Sequence, residues 1–124
     1  MIDHVGFEVS DLGRAARFYD AVFYALGARR MLQSESAIAY GINGPVVWIV
    51  VRGLSPGPGY GHLALHASGK AAVDAAHAAV PAAGGQAGGR DGGAPGQRPQ
   101  YGRRYYAAYM RDPDGLRVEV VSRR

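Results

Sequence analysis

Two segments of the chain begin in the same way, and this internal repeat limits the folds that are open to it. The letters HVGFEVS at residues 4–10 are echoed by HLALHAS at residues 62–68, so that His4 corresponds to His62. A unit repeated within one chain predicts a fold assembled from two copies of one supersecondary structure. Side chains at corresponding positions of the two copies are then expected to lie in related environments.

The first copy has the pattern of a strand, a helix and three further strands. Residues 2–9 alternate between apolar and small or polar side chains, which favours a strand. Asp11 is a candidate N-cap for a helix whose apolar residues recur at helical spacing as far as Leu26, and Gly27 follows where a helix-ending glycine is expected. Three strands are predicted next, at residues 28–33, 36–42 and 46–52, with a hairpin turn at 43–44.

The second copy follows the same order with a longer connection. A strand is predicted at 62–67, and Ser68 is the candidate N-cap of a second helix. Residues 86–102 are rich in glycine and proline and have the composition of a mobile lid. They precede a final hairpin of residues 103–111 and 116–123. The sequence therefore predicts an α+β fold of two tandem βαβββ modules, about 1–53 and about 61–124, in a single domain spanning 1–124.

The hairpin turns of the two copies also correspond, although with a longer separation along the chain. The turn at residues 43–44 matches the turn at 114–115, because the second copy carries an insertion in its glycine-rich connection. With the turns aligned, Trp48 of the first copy corresponds to Glu119 of the second. The repeat therefore opens each copy on a histidine but closes the two copies on unlike side chains.

His4, His62 and Glu119 lie at related positions of this repeat and form a candidate metal site. Two imidazoles and one carboxylate are a common ligand set for Fe, Mn, Zn, Ni or Co as divalent ions, and three protein ligands leave coordination positions for a substrate. Each residue also has an ordinary interpretation, since strand histidines are often held by structural hydrogen bonds and Glu119 is compatible with a solvated strand position.

These features together resemble the vicinal oxygen chelate superfamily, which includes glyoxalase I, extradiol dioxygenases, fosfomycin-resistance enzymes and bleomycin-binding proteins. The resemblance rests on HVGFEVSDL at 4–12 with RFY at 17–19, GHLAL at 61–65, and DPDG at 112–115 with Glu119. It implies two βαβββ modules that form a curled mixed sheet around a cup, and a divalent metal held by residues matching His4, His62 and Glu119. Substrates with two neighbouring oxygens, and lyase or dioxygenase chemistry, are the expected function.

Departures from the best-known members narrow this expectation. Trp48 stands where glyoxalase I carries a fourth ligand, and Glu8 stands where it has an arginine for glutathione, so typical glutathione-dependent glyoxalase activity is not predicted. Gly6 stands where the fosfomycin-resistance enzymes carry a threonine, so fosfomycin modification is not predicted either. The three-ligand set matches extradiol dioxygenases. A metal-free binding or sequestration protein of the bleomycin-resistance type is the alternative, although a basic chain does not favour the cationic drug.

Strand alternation indicates which other side chains share a face with the proposed ligands. Glu8 and His66 correspond to each other in the same way as His4 and His62, and they form either an acid–base pair or a structural ion pair. Tyr109 is a candidate proton donor or oxyanion donor, with ordinary packing as the alternative. Candidate substrate contacts are Trp48, Tyr105 and Arg117.

Charge and composition exclude several classes of partner. The formal net charge is +4, but the thirteen arginines are scattered along the chain, so nucleic-acid binding is not predicted and anionic small molecules are favoured instead. No apolar run is long enough to cross a membrane, and the N-terminal residues lack the pattern of a signal peptide, so a cytoplasmic protein is expected. The resemblance also implies a homodimer, with the alternatives of a site completed within one chain or across subunits.

Overall fold

The computed structural model describes residues 1–57, 61–88 and 93–124. The elements follow one another twice in the order strand, helix, strands. They are β1 (Val5–Glu8), α1 (Leu12–Ala25), β2 (Arg29–Gln33), β3 (Ala37–Gly41), β4 (Pro45–Val50), β5 (His62–His66), α2 (Lys70–Ala79), a 3₁₀ turn (Pro81–Ala83), β6 (Gln86–Ala87), β7 (Gly96–Gln97), β8 (Tyr106–Arg111) and β9 (Arg117–Ser122). We call β1–β4 with α1 the first module and β5–β9 with α2 the second module.

The first helix begins and ends as the sequence predicts, whereas the second begins at a different residue. The Asp11 carboxylate accepts a hydrogen bond from the Arg14 backbone N–H at 2.8 Å, which caps α1, and Gly27 follows the helix with φ of 79°. The prediction of Ser68 as the second N-cap is wrong, because Gly69 occupies that position and no side chain caps the helix. An added 3₁₀ turn also makes Gly84, with φ of 87°, the left-handed residue that ends this segment.

Two sheets are present in the described residues, one in each module. The strand order is β1-β4-β3-β2 in the first and β5-β9-β8-β6 in the second, with β7 also paired to β8. In each sheet the opening strand runs parallel to the closing strand, and Gly6 lies opposite Trp48 as Ala64 lies opposite Glu119. These pairs occupy corresponding positions of the repeat, so the register confirms the two-module α+β fold and the correspondence of Trp48 with Glu119.

Each helix covers one face of its sheet, and the two helices pack against each other. Within the described residues, no helix covers the other face of either sheet, which we call the open face. On β5, for example, Leu65 is buried toward the helix while His62, Ala64 and His66 are exposed on the open face. The largest fully buried side chains, which form the centre of the core, include Phe18, Tyr19, Tyr40, Ile49, Met110, Val118 and Val120.

The DPDG turn of the second module is bonded to the first helix of the first module. The Tyr19 hydroxyl donates to Asp112 Oδ2 at 2.7 Å, and Asp112 Oδ1 accepts the backbone N–H groups of Asp114 and Leu116. The backbone N–H of Ser10 donates to Asp114 at 3.0 Å. This turn therefore joins the modules in addition to reversing the chain.

The segment predicted to be a lid is partly anchored. Its described parts contain β6 and β7, which both pair with β8, and the His77 imidazole bonds the Gly88 carbonyl at 2.7 Å. Residues 89–92 of this segment, and residues 58–60 of the linker, lie outside the described residues. Among the described helices, none is long and apolar enough to span a membrane.

Candidate metal centre

His62 and Glu119 meet on the open face of the second sheet. β5 and β9 are parallel neighbours, and His62 Nε2 lies 3.0 Å from Glu119 Oε1. Glu119 is only 1 % exposed, although it lies on the same strand face as two arginines at the sheet surface. Burying a carboxylate costs free energy of folding unless the group is paired or coordinates a metal, so a partner for Glu119 is expected at this position.

Two tyrosines lie beside the carboxylate, Tyr109 on the neighbouring strand β8 and Tyr105 directly before that strand. The Tyr105 hydroxyl donates to Glu119 Oε2, and Tyr109 lies directly opposite Glu119 in the β8–β9 ladder. Burial raises the pKa of Tyr105 to about 12, with the hydrogen bond to Glu119 and its charge adding to the effect. Burial and Glu119 likewise raise the pKa of Tyr109. Both phenols are therefore protonated donors at neutral pH.

An arginine lies over the ring of each tyrosine. The Arg117 guanidinium carbon is 4.9 Å from the ring centroid of Tyr109, and that of Arg123 is 4.8 Å from the ring centroid of Tyr105. Cation–π contacts of this kind hold a guanidinium in place while leaving its edge toward solvent. Arg123 was missed in the sequence predictions, although the same two-residue alternation that groups Arg117 with Glu119 also places Arg123 on that face.

His4 is not part of this group within one chain. It precedes β1, is exposed, and bonds the neighbouring Asp3 at 2.5 Å. Among the residues with described positions, no three histidine or acidic side chains form a metal-binding group. The single chain thus brings together two of the three predicted ligands, because β1 and β5 are edge strands of two different sheets.

The predicted pairing of Glu8 with His66 does not occur within the chain. Glu8 instead forms an ion pair with Arg52 at 3.1 Å, since the parallel register of β1 and β4 brings the end of β4 beside it. His66 lines an apolar groove with Phe23 and Ile42 on a different part of the surface. The repeat relates the positions of Glu8 and His66, but their sheets are separate.

Trp48 lies on the open face of the first sheet, where small residues surround it. Its strand neighbours across the sheet are Gly6 and Ala39, and the indole is half-buried. A β-carbon added at Gly6 would lie 3.8 Å from the Trp48 β-carbon, an ordinary contact.

A cavity of about 370 Å³ lies at the seam between the modules. Its lining residues are Phe7, Glu8, Pro56, Gly57, Gly61, His62, Asp112, Asp114 and Leu116.

Comparison with known proteins identifies the family. The model of the Glyoxalase/Bleomycin resistance protein/Dioxygenase superfamily matches residues 1–120. The chain belongs to this superfamily. A search of curated proteins gave no match.

Solved structures of the superfamily share the fold over nearly the whole chain. A glyoxalase/bleomycin resistance protein from Albidiferax ferrireducens T118 is 31 % identical, with a TM-score of 0.83 over 98 % of this chain and 97 % of the other. A glyoxalase-related enzyme from Fulvimarina pelagi is 25 % identical, with a TM-score of 0.74 over 98 % and 87 %. A FosX variant from Listeria monocytogenes, complexed with Mn(II) and a dihydroxypropylphosphonic acid, is 20 % identical, with a TM-score of 0.69 over 98 % and 88 %.

The spacing of the donor atoms on the second sheet fits a divalent metal ion. Two donor atoms that each lie about 2.1 Å from one ion at right angles are roughly 3 Å apart, and the His62 nitrogen and Glu119 oxygen have that separation. Apart from His62, no basic side chain in the described ranges forms an ion pair with the buried Glu119. Its negative charge is thus available to a cation.

Proposed function

We propose that the protein is a divalent-metal-dependent enzyme that acts on a small substrate with two neighbouring oxygens, by lyase- or dioxygenase-type chemistry. The observation that carries this proposal is the contact between His62 and the buried Glu119, with both donor atoms facing the open side of the sheet. His62 and Glu119 would hold the metal, and His4 would complete the ligand set. The bound ion would supply a Lewis acid for a bidentate substrate.

We further propose that two copies of the chain complete the site. β1 and β5 are each the outermost strand of a sheet in the described residues, so each has an unpaired backbone edge. Each sheet also has an open face on which no described helix packs. A homodimer in which the first module of one copy faces the second module of its partner would cover these faces and bring His4 of one copy to Glu119 of the other.

The remaining side chains have distinct roles in this proposal. Tyr105 fixes one carboxylate oxygen of Glu119, which leaves the other to face the metal and His62. Tyr109 holds a proton beside the site and is positioned to donate it, or a hydrogen bond, to a substrate oxygen that gains negative charge. Trp48 provides a flat apolar wall against a planar substrate. The Mn(II) bound by the Listeria FosX variant supports the use of a divalent ion on this fold.

Metal stoichiometry after chelation and reloading with each candidate ion tests the metal site. We expect one ion per chain in the native protein and its loss in His62→Ala. His66→Ala is a matched control, since His66 is exposed on the same face of the same strand. Full metal content in His62→Ala, or no stoichiometric metal in the native protein, would refute metal dependence, and ligand-induced stabilisation that chelator leaves unchanged would then favour the metal-free binding protein.

Mixing two inactive variants tests whether the site is shared. His4→Ala and Glu119→Gln should each lose metal alone, but in a shared-site dimer the mixed dimer retains one intact site. Statistical mixing should therefore restore about a quarter of the native metal content. No recovery, with dimers that exchange subunits, would place the site within one chain. Once metal binding is established, a screen of 2-oxoaldehydes, catechols and epoxides addresses the substrate.

A further inference from the structure

Two arginines flank the proposed metal ligand, Arg117 at the start of β9 and Arg123 directly after its end. Residues 117, 119, 121 and 123 alternate with the buried Val118 and Val120, so Arg117 and Arg123 share the open face with Glu119. Each guanidinium lies over a tyrosine ring next to Glu119: Tyr105 donates to that carboxylate, and Tyr109 is paired with it across the ladder. Each guanidinium is therefore separated from Glu119 by a single tyrosine side chain.

These arginines differ from three arginines of the first module. There, Arg14, Arg30 and Arg52 each form an ion pair with a carboxylate. In the portions of the chain with described positions, Arg117 and Arg123 form no ion pair, and their defined contacts are the tyrosine faces. Glu119, the acidic residue of this strand, contacts His62 and Tyr105 but forms an ion pair with neither arginine in the described residues, so the two guanidinium charges on this face are not balanced by a carboxylate beside them.

We propose that Arg117 and Arg123 form an anion-binding rim, and that the substrate carries a carboxylate, phosphonate or phosphate group in addition to its metal-binding oxygens. This inference rests on the proposed function for its position beside the metal. Stacking on a tyrosine orients the guanidinium plane before the ligand arrives and leaves the N–H edge to bind two oxygens of one oxyanion. A neutral substrate would leave both guanidinium groups without a partner when the face is covered.

Binding of simple anions tests the rim separately from the metal. We would titrate methylphosphonate, propionate and the neutral propionamide into the full-length protein at low ionic strength, with chelator and again with Mn(II), and follow binding by calorimetry. We expect both anions to bind in chelated protein and propionamide not to bind. Arg117→Gln and Arg123→Gln should each weaken anion binding at least about tenfold, the loss typical of a charge-assisted hydrogen bond.

Arg124→Gln is the matched control, because it removes the same charge from the next residue, which is exposed and, in the described residues, lies over no tyrosine ring. We expect it to change affinity less than about twofold. Thermal unfolding would verify that all three variants are folded, and Arg117→Lys should recover only part of the affinity because lysine lacks the planar fork. Equal weakening in all three glutamine variants, or equal binding of propionamide, would overturn the rim. If anions bind but no metal does, the proposed function fails and the rim stands.

Discussion

The open faces of the two modules share one backbone pattern but carry different side chains. The closing strands place Trp48 in the first module and Glu119 in the second, each opposite a small residue of the opening strand. The strand on the other side of each closing strand also differs: β3 places Ala39 beside Trp48, whereas β8 places Tyr109 beside Glu119. The closing position of the first module is thus an apolar indole, and that of the second is a buried carboxylate beside a phenol.

This difference shows which parts of a duplicated fold must stay alike and which can differ. The helix-facing sides of both sheets are apolar, since both must exclude water from the core. The open sides carry no such requirement, so they differ without a cost to the core. In the site that we propose, the first module would supply an apolar wall and a single histidine, while the second would supply the carboxylate and the tyrosine protons.

The largest expected effect, on divalent metal affinity, comes from neutralising the carboxylate at the closing position of the second module. Glu119→Gln should lower divalent metal affinity by at least about 100-fold, because an amide replaces the anionic ligand. Trp48→Ala, at the corresponding position of the first module, should change it less than about twofold, since an indole does not ligate. Calorimetric titration with Mn(II) after chelation measures both. Similar losses in the two variants would mean that the modules do not divide the roles as we propose.

Much of this comparison was accessible from the sequence. Alignment of the two hairpin turns predicted that Trp48 and Glu119 are equivalent, and the strand register agrees. Alternation also predicted that Tyr105 shares a face with Tyr109, and that Arg117 shares one with Glu119. The repeat could not show how the two sheets are placed in space, because periodicity encodes which side chains share a face and not which edges meet. The distance of His4 from its proposed partners, and the pairing of Glu8 with Arg52, follow from that placement.

The next largest effect concerns the glycines that follow the two helices. A β-carbon at Gly85 would lie 2.5 Å from the buried Phe18 ring and 2.7 Å from the Arg111 carbonyl oxygen. Gly85→Ala should therefore destabilise the fold by about 2 kcal/mol, typical of overpacking. Gly27 has open space around its α-carbon but a φ of 79°, so Gly27→Ala should cost about 1 kcal/mol of left-handed strain.

Urea unfolding of both variants measures this pair. The two destabilisations have different origins, a clash with Phe18 at Gly85 and backbone strain at Gly27. Phe18→Leu, which shortens the clashing side chain, should therefore reduce the cost of Gly85→Ala and leave that of Gly27→Ala unchanged. Equal costs in both backgrounds would indicate that the contact with Phe18 does not set the constraint at Gly85.

The smallest effect distinguishes two carboxylates that join a helix to a sheet tyrosine. In the first module Asp20 accepts hydrogen bonds from Arg30 at 2.7 and 2.8 Å and from the buried Tyr40 at 2.7 Å. In the second, Asp74 accepts one from the more exposed Tyr106. Asp20→Asn should cost about 1 kcal/mol after allowance for solvent screening, and Asp74→Asn less than about 0.5 kcal/mol.

The pH dependence of that difference identifies its cause. Burial alone would raise the pKa of Asp20, but the hydrogen bonds from Arg30 and Tyr40 outweigh it and hold the pKa below its usual value. The unfolded chain therefore takes up the proton first as the pH falls. The stabilisation by Asp20 is complete above about pH 4 and is lost as the pH falls through the folded-state pKa. Unfolding free energies of native protein and Asp20→Asn should thus differ at pH 7 and converge in acid, whereas a gap that persists in acid would show that packing, and not charge, is what Asp20 contributes.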